Sequence, residues 1–161
     1  MFRTMRKIKQ QLSAEKTKEI FRQGTSGVLA VNGEEDYPYA VPLNYAYADG
    51  KIYFHGAKEG YKIDAIKNSD KVSFCVINQD QIVQEEYTSY FRSAIAFGRA
   101  RILTEEAEIK NALKMLAVKY CPDCEAGHSQ VIEKGCKNLY VVEIDIEYMS
   151  GNVASELIEK E

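Results

Sequence analysis

YPYAVPLNYAYADGKIYFHGAKEGYKIDAIK, residues 37–67, is the stretch that decides the fold. It reads as two strands joined by a tight turn and followed by a short helix. Asp49-Gly50 marks the turn, because a two-residue type I′ loop needs positive φ at both centres and this pair tolerates it. Counting outward, Ala48 faces Lys51, Ala46 faces Tyr53, Asn44 faces His55 and Pro42 faces Ala57. Side chains alternate along a strand. Tyr39, Val41, Leu43, Tyr45, Tyr47, Ile52, Phe54 and Gly56 therefore share a bulky apolar face suited to a core. Ala40, Pro42, Asn44, Ala46, Tyr53, His55 and Ala57 share the other, which is mostly small or polar. Pro42 removes a donor in mid-strand, so an edge or an interrupted ladder is expected there. Such a face suits a flat ligand.

The residues that follow extend this reading. Gly56-Ala57 allows a close approach to the backbone. Lys58 to Lys62 open a short helix with Ile63 and Ile66 pointing inward, and a helix N-terminus beside a lysine suits a phosphate. The plainer alternative is a connecting helix with Lys62 solvated, as most lysines are. His55 titrates near neutrality and is placed to donate a proton or a hydrogen bond.

At 161 residues the chain is expected to form one domain, 1–161, with 1–12 and 150–161 as loose tails. A net charge of −3 argues against a nucleic-acid partner. Eleven tyrosines without a tryptophan favour strands. No apolar run reaches the length of a membrane span, and MFRTMRKIKQ lacks the apolar core of a secretory signal. The expected setting is cytoplasmic, with the four cysteines as thiols.

Elsewhere, Ser13 is expected to cap a helix over 14–23 with Gly24 beyond its end. A short strand over 27–31 turns at Asn32-Gly33 into the central stretch. Strands follow over 71–77 and 90–103, with polar 78–88 as a loop or short edge strand and Gly98 as a bulge. Phe91, Ser93, Ile95 and Phe97 share a face of the second. A helix from Thr104 presents Ile109, Ala112, Leu113, Leu116, Ala117 and Tyr120 as one stripe and stops at Pro122. A polar connector with a short helix near 129–133 leads to a strand over 138–149. There Tyr140, Val142, Ile144, Ile146 and Tyr148 point one way, and Glu143, Asp145 and Glu147 the other. About six strands joined by hairpins, with helices around them, fit a small antiparallel barrel of the α+β class. No GxGxxG or Walker motif is present. Arg92, Arg99 and Arg101 read as a solvated strand face.

Cys121-Pro122-Asp123-Cys124, with His128 and Cys136, has the spacing of two zinc thiolates and two further ligands. The same residues also read as free cysteines at a helix end, with no metal, and this is the expectation adopted. The sequence supports no Ser-His-Asp or paired-carboxylate arrangement, so chemistry is expected to come from a cofactor.

Tyr37 to Leu43, Asp49 to Ala57 (DGKIYFHGA) and Gly60-Tyr61-Lys62 together resemble the 5-nitroimidazole resistance (Nim) proteins, which are pyridoxamine 5′-phosphate oxidase-like flavoproteins. SAIAFGRAR (93–101) and the Thr104 helix also fit, and the similarity runs over about residues 13–149. It implies a six-stranded split β-barrel that binds FMN at a homodimer interface. By position, Val41, Pro42, Leu43, Asn44 and Tyr45, with Phe54, His55, Gly56 and Ala57, would line the flavin, and Lys62 would hold its phosphate. His55 would lie beside the ring as the catalytic residue. The implied activity is a nitroreductase-like oxidoreductase acting on a small molecule such as a nitroaromatic or quinone. The alternative on the same fold is a non-catalytic module that holds flavin or haem, or senses through it. Where the oxidases proper carry basic residues on the first of these strands, this chain has Pro42 and Leu43. It also lacks their arginine-bearing C-terminal segment after Met149.

Overall fold

The computed structural model of the chain describes residues 1–160, with side chains through Ile158. In order, the elements are α1 (Ala14–Gln23), β1 (Gly27–Asn32), β2 (Pro38–Leu43), β3 (Ala46–Ala48), β4 (Lys51–Ala57), α2 (Tyr61–Asn68), β5 (Lys71–Val83), β6 (Thr88–Ile102), α3 (Glu106–Tyr120), α4 (Glu125–Asn138) and β7 (Leu139–Val153). The strands form one antiparallel sheet in the order β2-β1-β5-β6-β7-β4-β3. Seven strands in an open order replace the expected six-stranded barrel. The difference arises in the central stretch, whose first strand is two strands.

Asp49 (φ 48) and Gly50 (φ 79) form the expected turn, and Ala46↔Tyr53, Tyr47↔Ile52 and Ala48↔Lys51 pair as counted. The pairing ends there. From Pro38 to Leu43 the chain pairs with β1 instead, so the expected Asn44–His55 and Pro42–Ala57 pairs do not form. β2 and β3 thus lie at opposite edges of the sheet, although only Asn44 and Tyr45 separate them. Seven flat strands at about 4.8 Å spacing would hold those edges roughly 29 Å apart. The link from Leu43 to Ala46 can span at most about 11 Å. The sheet must therefore curl until the Leu43 end of β2 and the Ala46 end of β3 come together, with no ladder between the two edges. Pro42 sits on one of these edges, where its missing donor does no harm.

Ile52, Phe54, Phe74, Val76 and Ile144 fill the interior of the curl, and α1 closes it with Ile20 and Phe21. Ser13 Oγ accepts from the Lys16 amide to start α1. A smaller core lies outside the sheet, where Ala112 and Leu113 of α3 pack with Val141 of β7 and Leu103.

Several expectations are corrected. The turn after β1 is not a two-residue Asn32-Gly33 loop: it runs through residues 33–37, with Glu35 and Asp36 at positive φ. The polar run 78–88 extends β5 to Val83 and enters β6 through Tyr87 in the left-handed region. The connector helix is α4, fourteen residues long rather than five. Gly98 does sit at a bulge, where any Cβ would run into the Asp145 carbonyl. The bulge also skips Glu147, so Phe97 pairs with Tyr148 and Gly98 with Ile146. That one-residue slip reverses the alternation. Tyr148 faces outward and stacks on Phe2, while Met149 packs on the core. Residues 150–158 are not loose: β7 runs to Val153, and Ala154 and Leu157 are buried. In the N-terminal stretch Gln10 and Leu12 are buried as well. Of the expected C-terminal tail, Glu161 lies outside the described residues. No helix among the described residues is long and apolar enough to cross a membrane.

Candidate functional site

β4 supplies the centre of the site. Beyond Tyr53 it pairs only with β7, through His55↔Val141, Gly56↔Tyr140 and Ala57↔Leu139. Its other edge is open there, and the gap between it and the β2–β3 link, bordered by His55 and Asn44, forms a seam. Alternation leaves Phe54 fully buried and turns His55 and Ala57 outward. From β2 and the link, Pro42 and Asn44 are likewise exposed. Gly56 lies under the Lys62 side chain: a Cβ there would meet Lys62 Cε at 3.0 Å and Nζ at 3.3 Å. A side chain there would push the end of the lysine outward by a few tenths of an ångström.

α2 begins just beyond. Gly60 precedes it at φ 133, and no side chain caps its start, so its first amides lack a side-chain partner. Tyr61 holds the helix in place. Its ring packs on Tyr39 at 4.4 Å, and its hydroxyl accepts from the Glu34 amide at 2.6 Å. Ile63 and Ile66 are buried as expected. Lys62 is thus carried on a docked helix, beside Gly56 and His55. Partial burial of the ring holds the His55 imidazole below its ordinary value, and the nearby Lys62 charge adds to the effect. His55 is therefore neutral at pH 7 and able to donate or accept one hydrogen bond.

The structure divides the expected site residues into two groups. Asn44 and His55 line the seam together, Lys62 lies against Gly56, and Pro42 and Ala57 are exposed on β2 and β4. Tyr45 and Phe54 are 0% exposed, and Val41 and Leu43 pack against the core. Their side chains face away from the seam, which leaves their backbone alone to reach a ligand there. Tyr45 is fixed by its hydroxyl, which donates to the Phe21 carbonyl at 2.7 Å.

Sequence reasoning missed what fixes the Asn44–Tyr45 link. The end of α3 clasps it. The Tyr45 amide donates to the Tyr120 hydroxyl at 2.9 Å, and that hydroxyl lies 2.6 Å from the Thr25 carbonyl. Lys119 Nζ donates to the carbonyls of Tyr45 at 2.9 Å and Gly24 at 2.5 Å, and sits 4.1 Å from the centre of the Tyr45 ring. Burial pushes the Lys119 ammonium below its ordinary value. Asn44 Nδ2 donates to Thr25 O at 2.8 Å. The one available signal was Tyr120 at the end of an apolar stripe, one turn past the last residue the core needs.

A groove of about 290 Å³ opens beside Asn44 and His55, with walls from Leu113 and Leu116 of α3 and Val131 and Ile132 of α4. A larger cavity of about 590 Å³ lies elsewhere, on the outer face of β5 and β6 under Phe2. It includes neither His55 nor Lys62, and its Arg99 is committed to Asp70 and Glu147. We place the site at the seam for that reason.

Cys121 and Cys124 are exposed at the α3–α4 turn, Cys136 is half-buried, and none is in a disulfide. His128 Nε2 lies 2.9 Å from the Cys121 carbonyl. Among the described residues, no three His, Cys, Asp or Glu side chains gather in a way that could hold a metal. Arg99 and Arg101 form ion pairs on the sheet surface.

A sequence profile described as pyridoxamine 5′-phosphate oxidase matches residues 13–153. Among solved structures, a candidate 5-nitroimidazole antibiotic resistance protein from Bacteroides thetaiotaomicron is 21% identical. The match covers 89% of this chain and 86% of that one, with a TM-score of 0.75. An FAD-binding protein from Mesorhizobium loti is 26% identical over 90% of this chain and 97% of its own, with a TM-score of 0.65. The FAD and heme binding protein of Mycobacterium smegmatis is 16% identical over 91% and 74%, with a TM-score of 0.74. No curated protein sequence matches.

Proposed function

The chain belongs to the pyridoxamine 5′-phosphate oxidase family, and on that premise we propose that it is an FMN-dependent oxidoreductase of the split-barrel type. In this reading FMN sits at a homodimer interface in the cytoplasm, and the substrates are small electrophiles of the nitroaromatic or quinone kind. The observation that carries it is the Lys62 ammonium lying across Gly56, at the uncapped start of α2 and one residue from His55.

The residues present fit the cofactor. Lys62 and the first amides of α2 supply the positive potential a phosphate needs. Asn44 and His55, which share a groove, and the exposed Pro42 and Ala57 would offer a planar ring a surface without large apolar side chains. Bound flavin would supply the electron transfer that the side chains lack. Asn44, held by Thr25, offers its carbonyl oxygen as an acceptor. His55, neutral at pH 7, offers an N–H or a lone pair at the ring edge. Val41, Leu43, Tyr45 and Phe54 support this surface from the core side.

Purified protein should show flavin absorbance, and Lys62→Ala should weaken FMN binding. A lost charge-assisted hydrogen bond is worth about 1.5–3 kcal/mol, or roughly 10- to 150-fold in Kd. Full flavin occupancy in Lys62→Ala protein would remove the phosphate assignment. A second reading, a flavin- or haem-holding module without turnover, draws on the likeness to the FAD and heme binding protein. A Soret band, or a flavin that no electron donor reduces, would favour it.

A further inference from the structure

The groove between α3, α4 and His55 is not needed to hold a flavin phosphate or to close the core. We propose that it is the binding site of the electron acceptor, and that it selects uncharged, flat, largely apolar molecules with one hydrogen-bonding group. The proposal rests on the flavin reading above, and assigns a second site next to the first.

Three observations carry it. The first is charge. No Asp, Glu, Lys or Arg lines the groove. Its ionisable groups are His55, which is held neutral, Tyr120, whose hydroxyl is taken up by Thr25 and Tyr45, and the Cys121 thiol. A carboxylate, sulfonate or second phosphate entering here would lose water and find no charged side chain in the groove wall. The second is the arrangement of polarity. Leu113, Leu116, Val131 and Ile132 of α3 and α4 make apolar walls, and Asn44 and His55, on the β2–β3 link and β4, add polar side chains. A ring carrying a nitro or carbonyl group matches that division. The third is size. About 290 Å³ is at the small end for ligand sites, enough for one or two fused rings. Gly135 sets the width, because a Cβ there would meet Leu113 Cδ1 at 3.0 Å.

The test compares 1,4-naphthoquinone with its 2-sulfonate. Dissociation constants are measured by saturation-transfer NMR on the purified protein without an electron donor, so no turnover enters the readout. The neutral quinone is expected to bind at least tenfold more tightly. Val131→Lys, at a rim residue 65% exposed, should fold normally and strengthen sulfonate binding roughly two- to fivefold, the size of an exposed ion pair. Gly135→Ala should weaken naphthoquinone binding with flavin content unchanged. Equal affinities for the two quinones, or no response to Val131→Lys, would overturn the assignment. So would a change of molecular mass by light scattering in Val131→Lys, since the groove would then be a contact between subunits. The absorbance spectrum is read separately. Protein without flavin whose quinone binding still responds to Val131→Lys would remove the cofactor reading and support the groove. Flavin-loaded protein that fails to discriminate would do the reverse.

Discussion

Replacing Tyr120 with phenylalanine tests whether the end of α3 holds the seam in shape. The hydroxyl accepts from the Tyr45 amide and has one proton to donate, to the carbonyl of Thr25 or of Tyr45. Both carbonyls keep another donor when it is gone: Asn44 Nδ2 serves Thr25, and Lys119 Nζ serves Tyr45. The Tyr45 amide keeps none among these. The loss therefore amounts to one orphaned donor in a part-buried place, about 1–3 kcal/mol, with partial water access favouring about 1.5–2. In a chain of this length that corresponds to a fall in Tm of roughly 3–8 °C.

Urea denaturation gives the free energy, and calorimetry gives Tm. An unchanged m-value would show that the unfolded state is not what moved. Flavin affinity should fall as well, because Asn44 rides on the released link. A loss below about 0.5 kcal/mol would refute the reasoning, since the clasp would then stabilise nothing and the link would be fixed by Tyr45 in the core alone.

Lys62→Met should raise the pKa of His55 without restoring it to the ordinary value, because burial, the larger cause, remains. Imidazole NMR titration reads this easily with only two histidines in the chain, and an unchanged His55 would place the Lys62 ammonium out of reach. Glu143 is 8% exposed at its side chain and bridges Lys51 at 2.9 Å and Arg101 at 3.0 Å. Burial alone would raise its pKa, but hydrogen bonds from the two cations outweigh it and lower the pKa overall. A carboxylate so lowered stabilises the fold above its unfolded pKa of about 4.3, and that share fades as pH falls through the folded value. Glu143→Gln should therefore cost about 1–3 kcal/mol at pH 7 and much less near pH 3. Denaturation curves that differ equally at both pH values would show that charge is not what Glu143 contributes.

What the sequence disclosed and what it withheld divide along one line. Local rules held where local forces decide. Asp49-Gly50 made its turn, Ser13 its cap and Gly98 its bulge. The alternation that buries Phe54 and exposes His55 was legible because it depends only on counting from that turn. Strand partners were not legible. Nothing local to Val41 tells it to pair with Leu29 rather than continue along β4. Tyr45 was legible as a core residue, yet as a cofactor contact its side chain points the wrong way, because a shared stretch is not a shared face. α4 escaped because Gly127 and Gly135 dilute its helical signal, and Gly135 is there for its contact with Leu113.

The break between β2 and β3 opens the candidate site, and its cause is visible in the pairing. An unbroken hairpin from Pro42 to Ala57 would give seven residue pairs. Splitting at Asn44–Tyr45 gives six with β1 and three with β4, so the curled sheet gains ladder by opening the hairpin. The exchange leaves two strand edges without partners, which usually invites aggregation. Here Pro42 blunts one edge, and near the other the Lys62 side chain lies against the face of β4 at Gly56. Those unpaired edges, next to a lysine and a neutral histidine, are what a phosphorylated planar ring would occupy. The arrangement with more pairing thus also leaves the opening that the proposed flavin site would use. A variant that closed the seam should lose the ligand before it loses stability.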